Sequence, residues 1–110
     1  MMDIEEARAE IAAIDREMAA LFERRMAAVE AVAAWKKERG LPVSDAAQEE
    51  RVLARNVSLI SDPQKRSLYV SFLQGVMRLS RQYQHSLIDG IPAAGDTPPD
   101  GGSIEAEATT

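Results

Sequence analysis

Apolar side chains recur along the first part of the chain at alternating spacings of three and four residues. This rhythm is typical of one face of an α-helix and predicts a single long helix over residues 3–39. At ~1.5 Å per residue the helix would extend to roughly 55 Å, longer than a compact domain of this size is wide, so it needs a partner along its length. The positions on the rhythm are Ile4, Ala7, Ile11, Ile14, Met18, Leu21, Arg25, Ala28, Val32 and Trp35.

A second helix is predicted over residues 45–60. Gly40 suits the left-handed conformation that follows a helix, and Pro42 prevents the first helix from continuing. Asp45, followed three residues later by Gln48, resembles a capping box that opens the next helix. The apolar positions of this segment are consistent with one buried stripe.

A third helix is predicted to begin at Pro63 and to continue to Gly90. Ser61 and Asp62 supply a cap, and proline is favoured at the first helical position. No stretch of the chain shows the alternation of a strand. The predicted fold class is therefore all-α, with one long and two shorter helices per protomer.

Negative charge is concentrated at the C-terminal end of the 110 residues. The net charge is −5, and residues 92–110 contain four acidic and no basic side chains, which leaves residues 1–91 at −1. We expect residues 1–91 to form one helical domain, and residues 92–110, rich in Pro and Gly, to be a disordered, dispensable tail. A nearly neutral body lacks the basic surface that nucleic acids require, so an anionic ligand must be held by a few positioned cations.

Composition excludes several classes of chemistry. The chain has no Cys and a single His, His85, so we expect no disulfide, no thiolate nucleophile, no metal site and no redox cofactor. The acidic N-terminal segment leads into no uninterrupted apolar stretch, which disfavours a signal peptide and a membrane span. We therefore expect a cytoplasmic protein.

Two cations on the first helix are candidates for an anion site. Arg25 falls on the apolar rhythm, where a buried guanidinium is costly unless an anion pairs with it. Lys36 lies eleven residues later, three helical turns plus only ~20° around the axis, and so shares a face with Arg25. Each side chain also has an explanation that needs no ligand. Arg25 can extend to solvent or pair with a carboxylate, and Lys36 can lie in solvent and complement the helix dipole.

The shorter helices each present a small polar set. Asp45, Gln48 and Glu49 share one face of the second helix, and Ser80 and Gln84 share one face of the third. The first two could simply cap their helix, and the last two could lie at a polar edge. Together with the two cations, the three helices predict a pocket lined by charged and amide side chains.

These elements resemble the all-α chorismate mutase family over about residues 3–88. No single motif is specific to this family, but the order and spacing of the motifs in so short a chain are specific to it. The matching segments are Arg8 to Asp15, Leu21 to Arg25, Val32 to Lys36, Leu41 to Asp45, Gln48 to Glu50 and Leu79 to Gln84.

The resemblance implies an intertwined homodimer with two active sites, in which the arginine matching Arg8 enters from the partner chain. Helix geometry agrees with this arrangement. Arg8 lies seventeen residues before Arg25, which places it ~25 Å away along the axis and ~100° around it. One straight helix cannot direct both side chains at one small ligand.

The resemblance further implies the [3,3] rearrangement of chorismate to prephenate in aromatic amino acid biosynthesis, with no cofactor. Holding the dianion in a chair-like conformer and stabilising charge on its ether oxygen would supply catalysis. The resemblance also implies a role for each site residue. Arg8, Arg25 and Ser80 hold the carboxylates, Lys36 and Gln84 donate to the ether oxygen, and Asp45 and Glu49 contact the ring hydroxyl or orient the cations.

The chain departs from the family at Gln48, where an arginine is common. Glutamine can still donate a hydrogen bond but carries no charge, which weakens substrate binding by roughly 1–3 kcal/mol if the lost contact was charge-assisted. Arg51, one turn further along, is expected to face elsewhere and not to substitute.

Two other functions stay open on sequence alone. One is an isochorismate pyruvate lyase on the same scaffold; the acidic residues Asp45 and Glu49 favour the mutase over it. The other is a non-catalytic helical interaction module. Its best support is Gln48, which stands where the family commonly has arginine.

Overall fold

The structure, a computed structural model, describes residues 1–90, in which there are three α-helices and no strand. Helix α1 is Ile4–Arg39, α2 is Ala46–Val57 and α3 is Pro63–Ile88. The predicted all-α class with one long and two shorter helices is confirmed. The predicted tail, residues 92–110, lies outside the described residues.

The described residues fall into two compact units. The first begins at Met1 and ends at Ala28, and the second begins at Val29 and contains the end of α1 with α2 and α3. In the first unit Asp3 caps α1, because its Oδ1 accepts a hydrogen bond from the Glu6 backbone N–H at 2.8 Å. That bond and a further one to the Glu6 side chain lower the pKa of the Asp3 carboxyl.

The first unit carries a stripe of large apolar side chains on the rhythm of α1 and beside it. None of residues 1–28 is buried within one chain. The stripe consists of Ile14, Met18, Leu21 and Phe22, which are 42%, 44%, 54% and 47% exposed.

The second unit has a small core in which α2 packs against α3. The core side chains are Val29, Ala33, Val43, Leu73 and Met77, each less than a tenth exposed. Two polar residues of α3, Ser80 and Gln84, are as deeply buried as these, each 6% exposed. Buried polar groups need hydrogen-bond partners, and each buried side-chain polar atom within residues 1–90 has one.

The end of α1 is a Schellman motif. Gly40 adopts φ +63°, its N–H donates to the Lys37 carbonyl at 3.3 Å, and the Leu41 N–H donates to the Lys36 carbonyl at 2.9 Å. The left-handed conformation predicted for Gly40 is confirmed. The motif turns the chain back toward Lys36, which brings the following loop near that side chain.

Helix α2 ends three residues earlier than predicted, at Val57 instead of residue 60. The Asn56 side chain donates to the Val52 carbonyl at 2.7 Å, and the Ser58 hydroxyl donates to the Arg55 carbonyl at 2.7 Å. Beyond them the backbone tightens, since Leu59 N–H donates to the Asn56 carbonyl three residues back. Short polar side chains that bond the backbone locally compete with helix continuation, and the apolar pattern does not reveal them.

Helix α3 begins as predicted. Asp62 caps it by accepting a hydrogen bond from the Gln64 N–H at 3.0 Å, and Pro63 occupies the first turn. The helix ends at Ile88, two residues before Gly90, which has φ +71°. The glycine thus follows the helix instead of ending it.

Candidate active site

Lys36 joins the end of α1 to the loop and to α3. Its ammonium donates to the Val43 carbonyl at 2.7 Å and to Gln84 Oε1 at 3.0 Å. An ammonium has three N–H donors, so one remains for a ligand after these two bonds. The alternative in which Lys36 merely extends into solvent near a helix terminus does not describe this half-buried, twice-bonded side chain.

Gln84 is buried, and its partner determines which way its amide is oriented. Lysine can only donate, so the atom of Gln84 that faces Lys36 must be the carbonyl oxygen. The two N–H donors on Nε2 are then directed away from Lys36. Lys36 and Gln84 therefore form a pair that offers N–H donors from two neighbouring side chains.

Ser80 lies one helical turn before Gln84 on the same face of α3. Its hydroxyl donates to the Val76 carbonyl at 3.0 Å. Ser80 and Gln84 are thus buried together, as one polar face within the core, and not at an exposed edge of the helix.

Glu49 forms an ion pair that sequence analysis missed. Nη1 of Arg81 on α3 donates to Oε1 and Oε2 of Glu49 on α2, at 2.6 and 2.7 Å. The Glu49 side chain is 30% exposed and the Arg81 side chain is 32% exposed. The signal that could have found Arg81 is the need of a half-buried carboxylate for a cation, combined with the position of Arg81 between Ser80 and Gln84.

Asp45 caps α2, as one of the alternatives predicted. Its Oδ1 accepts from the Gln48 backbone N–H at 3.1 Å. The full capping box does not form, because the Gln48 side chain is turned toward Arg51 instead of back to Asp45. Nε and Nη2 of Arg51 donate to Gln48 Oε1 at 3.1 and 2.8 Å.

The sequence analysis missed this contact between Arg51 and Gln48. Residues three apart on a helix are neighbours on its surface, and an exposed glutamine oxygen attracts a guanidinium that has only donors. A cation thus lies within hydrogen-bond distance of Gln48, although residue 48 itself is uncharged. As with Gln84, the donor side of the Gln48 amide is directed away from its partner.

The two remaining predicted site residues lie on α1 in the first unit. Arg8 is exposed and Arg25 is half-buried. Six predicted site residues, Lys36, Asp45, Gln48, Glu49, Ser80 and Gln84, belong to the second unit. The roles of Arg8 and Arg25 stay predictions.

An open cavity of about 400 Å³ in the second unit does not coincide with the predicted site. The Tyr83 hydroxyl in it donates to Glu30 Oε2 at 2.6 Å, and this hydrogen bond raises the pKa of the Tyr83 phenol. With a carboxylate beside its lysine, the cavity is poorly suited to a dianion. Its lining residues are Glu30, Ala33, Ala34, Lys37, Tyr83, Leu87 and Ile88.

Comparison with known protein families decides the identity of the fold. The model of the family described as chorismate mutase type II matches residues 7–85, more than two thirds of the chain. The chain belongs to the chorismate mutase type II family. This family consists of all-α isomerases, and its activity is the conversion of chorismate to prephenate. Comparisons with curated proteins and with solved structures found no match.

Membership in the chorismate mutase type II family confirms the resemblance found in the sequence. The match spans both units and includes every predicted site residue from Arg8 to Gln84. Within residues 1–90, no group of three or more potential side-chain ligands is arranged to hold a metal ion. No helix in that part of the chain is both long and apolar enough to cross a bilayer.

Proposed function

We propose that this chorismate mutase carries out its rearrangement at a site centred on Lys36 and Gln84. The observation that carries the proposal is the 3.0 Å hydrogen bond from Lys36 Nζ to Gln84 Oε1. This bond uses one lone pair of Gln84 Oε1, the one acceptor atom of the pair, so what the pair mainly offers a ligand is N–H donors.

The chemistry of the rearrangement matches such a pair of donors. The ether C–O bond of chorismate breaks while a new C–C bond forms within the same molecule, so no atom enters or leaves and no external nucleophile is needed. Negative charge develops on the ether oxygen in the transition state. Preorganised N–H donors directed at that oxygen stabilise it without having to reorganise during the reaction.

The carboxylates of the substrate are assigned to the remaining cations and hydroxyl. Arg25 and Ser80 from one chain, and Arg8 from the partner chain, are proposed to hold them. Ser80 is buried and Arg25 is half-buried, and guanidinium and hydroxyl groups are donors of the kind that bind carboxylates.

The acidic and amide residues of α2 are assigned to the ring hydroxyl. Glu49 is proposed to accept a hydrogen bond from that hydroxyl, and Asp45 to orient neighbouring groups while it caps α2. Gln48 is proposed to donate from Nε2. Arg51 supports that role, because its bonds to Oε1 fix the amide with its donors outward.

The active form is proposed to be a homodimer. Support comes from the apolar stripe of α1, Ile14, Met18, Leu21 and Phe22, which is exposed within the part of the chain that the structure describes. Exposed apolar patches of this kind mark interaction surfaces, and a second copy of α1 presents the same stripe. We further propose a cytoplasmic location and a place in aromatic amino acid biosynthesis, which follows from the chorismate substrate.

The deciding experiment follows the ultraviolet absorbance of chorismate in the presence of the purified full-length protein. We expect catalysed loss of chorismate with prephenate as the product. Isochorismate is assayed in parallel, and formation of salicylate and pyruvate would instead identify the lyase. A folded protein that leaves both substrates at the background rate would identify a non-catalytic module and overturn the proposal.

A further inference from the structure

The ion pair between Arg81 and Glu49 joins α3 to α2. One nitrogen of the guanidinium serves both oxygens of the carboxylate, at 2.6 and 2.7 Å. Short charge-assisted bonds of this kind are about twice as strong as neutral ones. Both side chains are about two-thirds buried, so the pair is only partly screened by water.

The pair lies beside the proposed substrate site on both helices. Arg81 precedes Gln84 by three residues, which places the two side chains on adjoining parts of the α3 surface, ~4.5 Å apart along the axis. Glu49 follows Asp45 by one turn and adjoins Gln48. Among these residues Glu49 and Asp45 carry negative charge, and Arg51 contacts Gln48 instead of Glu49.

A carboxylate near a dianion site creates an electrostatic difficulty. An uncompensated Glu49 would repel the substrate, and like charges brought together in a desolvated site weaken binding strongly. Arg81 cancels that charge while leaving the carboxylate oxygens lone pairs with which to accept a further hydrogen bond. Its two bonds also restrict the carboxylate to one orientation.

We propose that Arg81 is a positioning residue of the chorismate mutase reaction, which acts by neutralising and orienting Glu49 at the substrate site. The inference rests on the proposed function. In this arrangement the cation that balances Glu49 comes from α3, while α2 has glutamine at position 48. Arg81 differs from a purely structural tie between the helices, because its effect on substrate binding depends on the charge of Glu49.

The charge dependence can be tested with four proteins: the wild type, Arg81→Met, Glu49→Gln and the double variant. We expect Arg81→Met to raise KM for chorismate by about tenfold, because it leaves Glu49 uncompensated. Adding Glu49→Gln should bring KM back to within about threefold of wild type, because glutamine removes the charge and still accepts a hydrogen bond. A structural tie would predict no recovery in the double variant.

Two further variants complete the experiment. Arg78→Met removes an equal charge from an exposed position of the same helix and should leave KM within about twofold of wild type. Arg81→Lys keeps the charge but not the planar guanidinium, so KM should stay near wild type while kcat falls a few-fold. It also provides a test if Arg81→Met does not fold.

The outcomes separate this inference from the proposed function. A wild-type protein without turnover would remove the proposed function and the inference with it. An active wild type with an unchanged KM in Arg81→Met, or with no recovery in the double variant, would overturn the role of Arg81 alone. A KM raised as much in Arg81→Lys as in Arg81→Met would also overturn it.

Discussion

Lys36 on α1 and Gln84 on α3 are joined by a hydrogen bond of 3.0 Å between Nζ and Oε1. The residues are 48 positions apart in the chain. Because lysine has only donors, this contact determines that the buried amide presents its own donors away from the ammonium. We therefore expect a ligand at this pair to present groups that accept hydrogen bonds.

Replacing Lys36 should abolish most of the activity. Lys36→Met removes one preorganised donor and leaves Gln84 Oε1 without its charged partner, so we expect kcat/KM to fall ~10²-fold or more. The matched control is Lys37→Met, which removes the same charge from the neighbouring position of α1. Equal kinetics in the two variants, measured by loss of chorismate absorbance, would refute the assignment.

The wild-type rate should be nearly independent of pH around neutrality, since an amide donates without having to be protonated. The substitution Gln84→Glu should make the rate depend on pH. A carboxyl group donates only in its protonated form, so activity should be highest at acidic pH and decline as pH rises through ionisation of the introduced group. A flat profile for Gln84→Glu, measured with wild type over the same range, would show that Gln84 does not donate to the ether oxygen.

Asp45 allows capping and substrate contact to be separated. Asp45→Ala removes the acceptor for the Gln48 N–H and should lower the free energy of unfolding by ~1 kcal/mol, whereas Asp45→Asn retains a cap of similar strength. Denaturant unfolding measures both. If Asn destabilises as much as Ala, capping is not the role of Asp45. If Asp45→Asn is as stable as the wild type, a loss of kcat/KM in that variant reports a contact between Asp45 and the substrate.

The contact between Tyr83 and Glu30 should be visible in a titration. The hydrogen bond to Glu30 raises the pKa of the Tyr83 phenol. The folded state thus holds the proton more tightly than the unfolded chain, so the stabilisation is complete below the ordinary tyrosine pKa of about 10 and is lost as pH rises through the folded value.

Glu30→Gln should therefore lower the pKa of Tyr83. Spectrophotometric titration in a Tyr69→Phe background follows Tyr83 alone, because the chain has two tyrosines. A midpoint that stays the same with and without Glu30→Gln would contradict the assigned cause.

The contribution of Arg8 across the proposed dimer can be tested by mixing inactive variants. Arg8→Ala and Lys36→Met homodimers each lack one residue in both sites. If Arg8 acts on the partner's site, a mixed dimer contains one site with both residues, and random exchange should restore about a quarter of the wild-type sites. If Arg8 acts within its own chain, no mixed dimer has a complete site and activity should not return after subunit exchange.

Local signals in the sequence were sufficient for most helix boundaries. Gly40 and the pair Asp62 and Pro63 specify backbone conformations that depend on a few adjacent residues, and the structure has them where predicted. The end of α2 was missed because it depends on how Asn56 and Ser58 direct their side chains, which residue type alone does not determine.

The sequence predicted which polar residues of α3 belong with its apolar face, but not how the polar side chains of the three helices pair. Ser80 and Gln84 were found because they interrupt an apolar pattern at helical spacing. The ion pair of Arg81 and the contact of Arg51 with Gln48 were missed, because a long cationic side chain can reach several neighbours. Its partner depends on the packing of a second helix or on a nearby amide. Periodicity identifies the face of a helix but not the partner of a flexible side chain.

The Schellman motif at Gly40 ends α1 and also brings the following loop into contact with Lys36. The backbone carbonyl of Lys36 accepts from Leu41, while its ammonium donates to the carbonyl of Val43, so the short connection contacts both ends of the same residue. A connection of different length could still join α1 to α2, but it would displace the Val43 carbonyl and with it one of the two anchors that aim the ammonium. The length of the connection between α1 and α2 therefore helps to determine where the Lys36 ammonium lies in the proposed site.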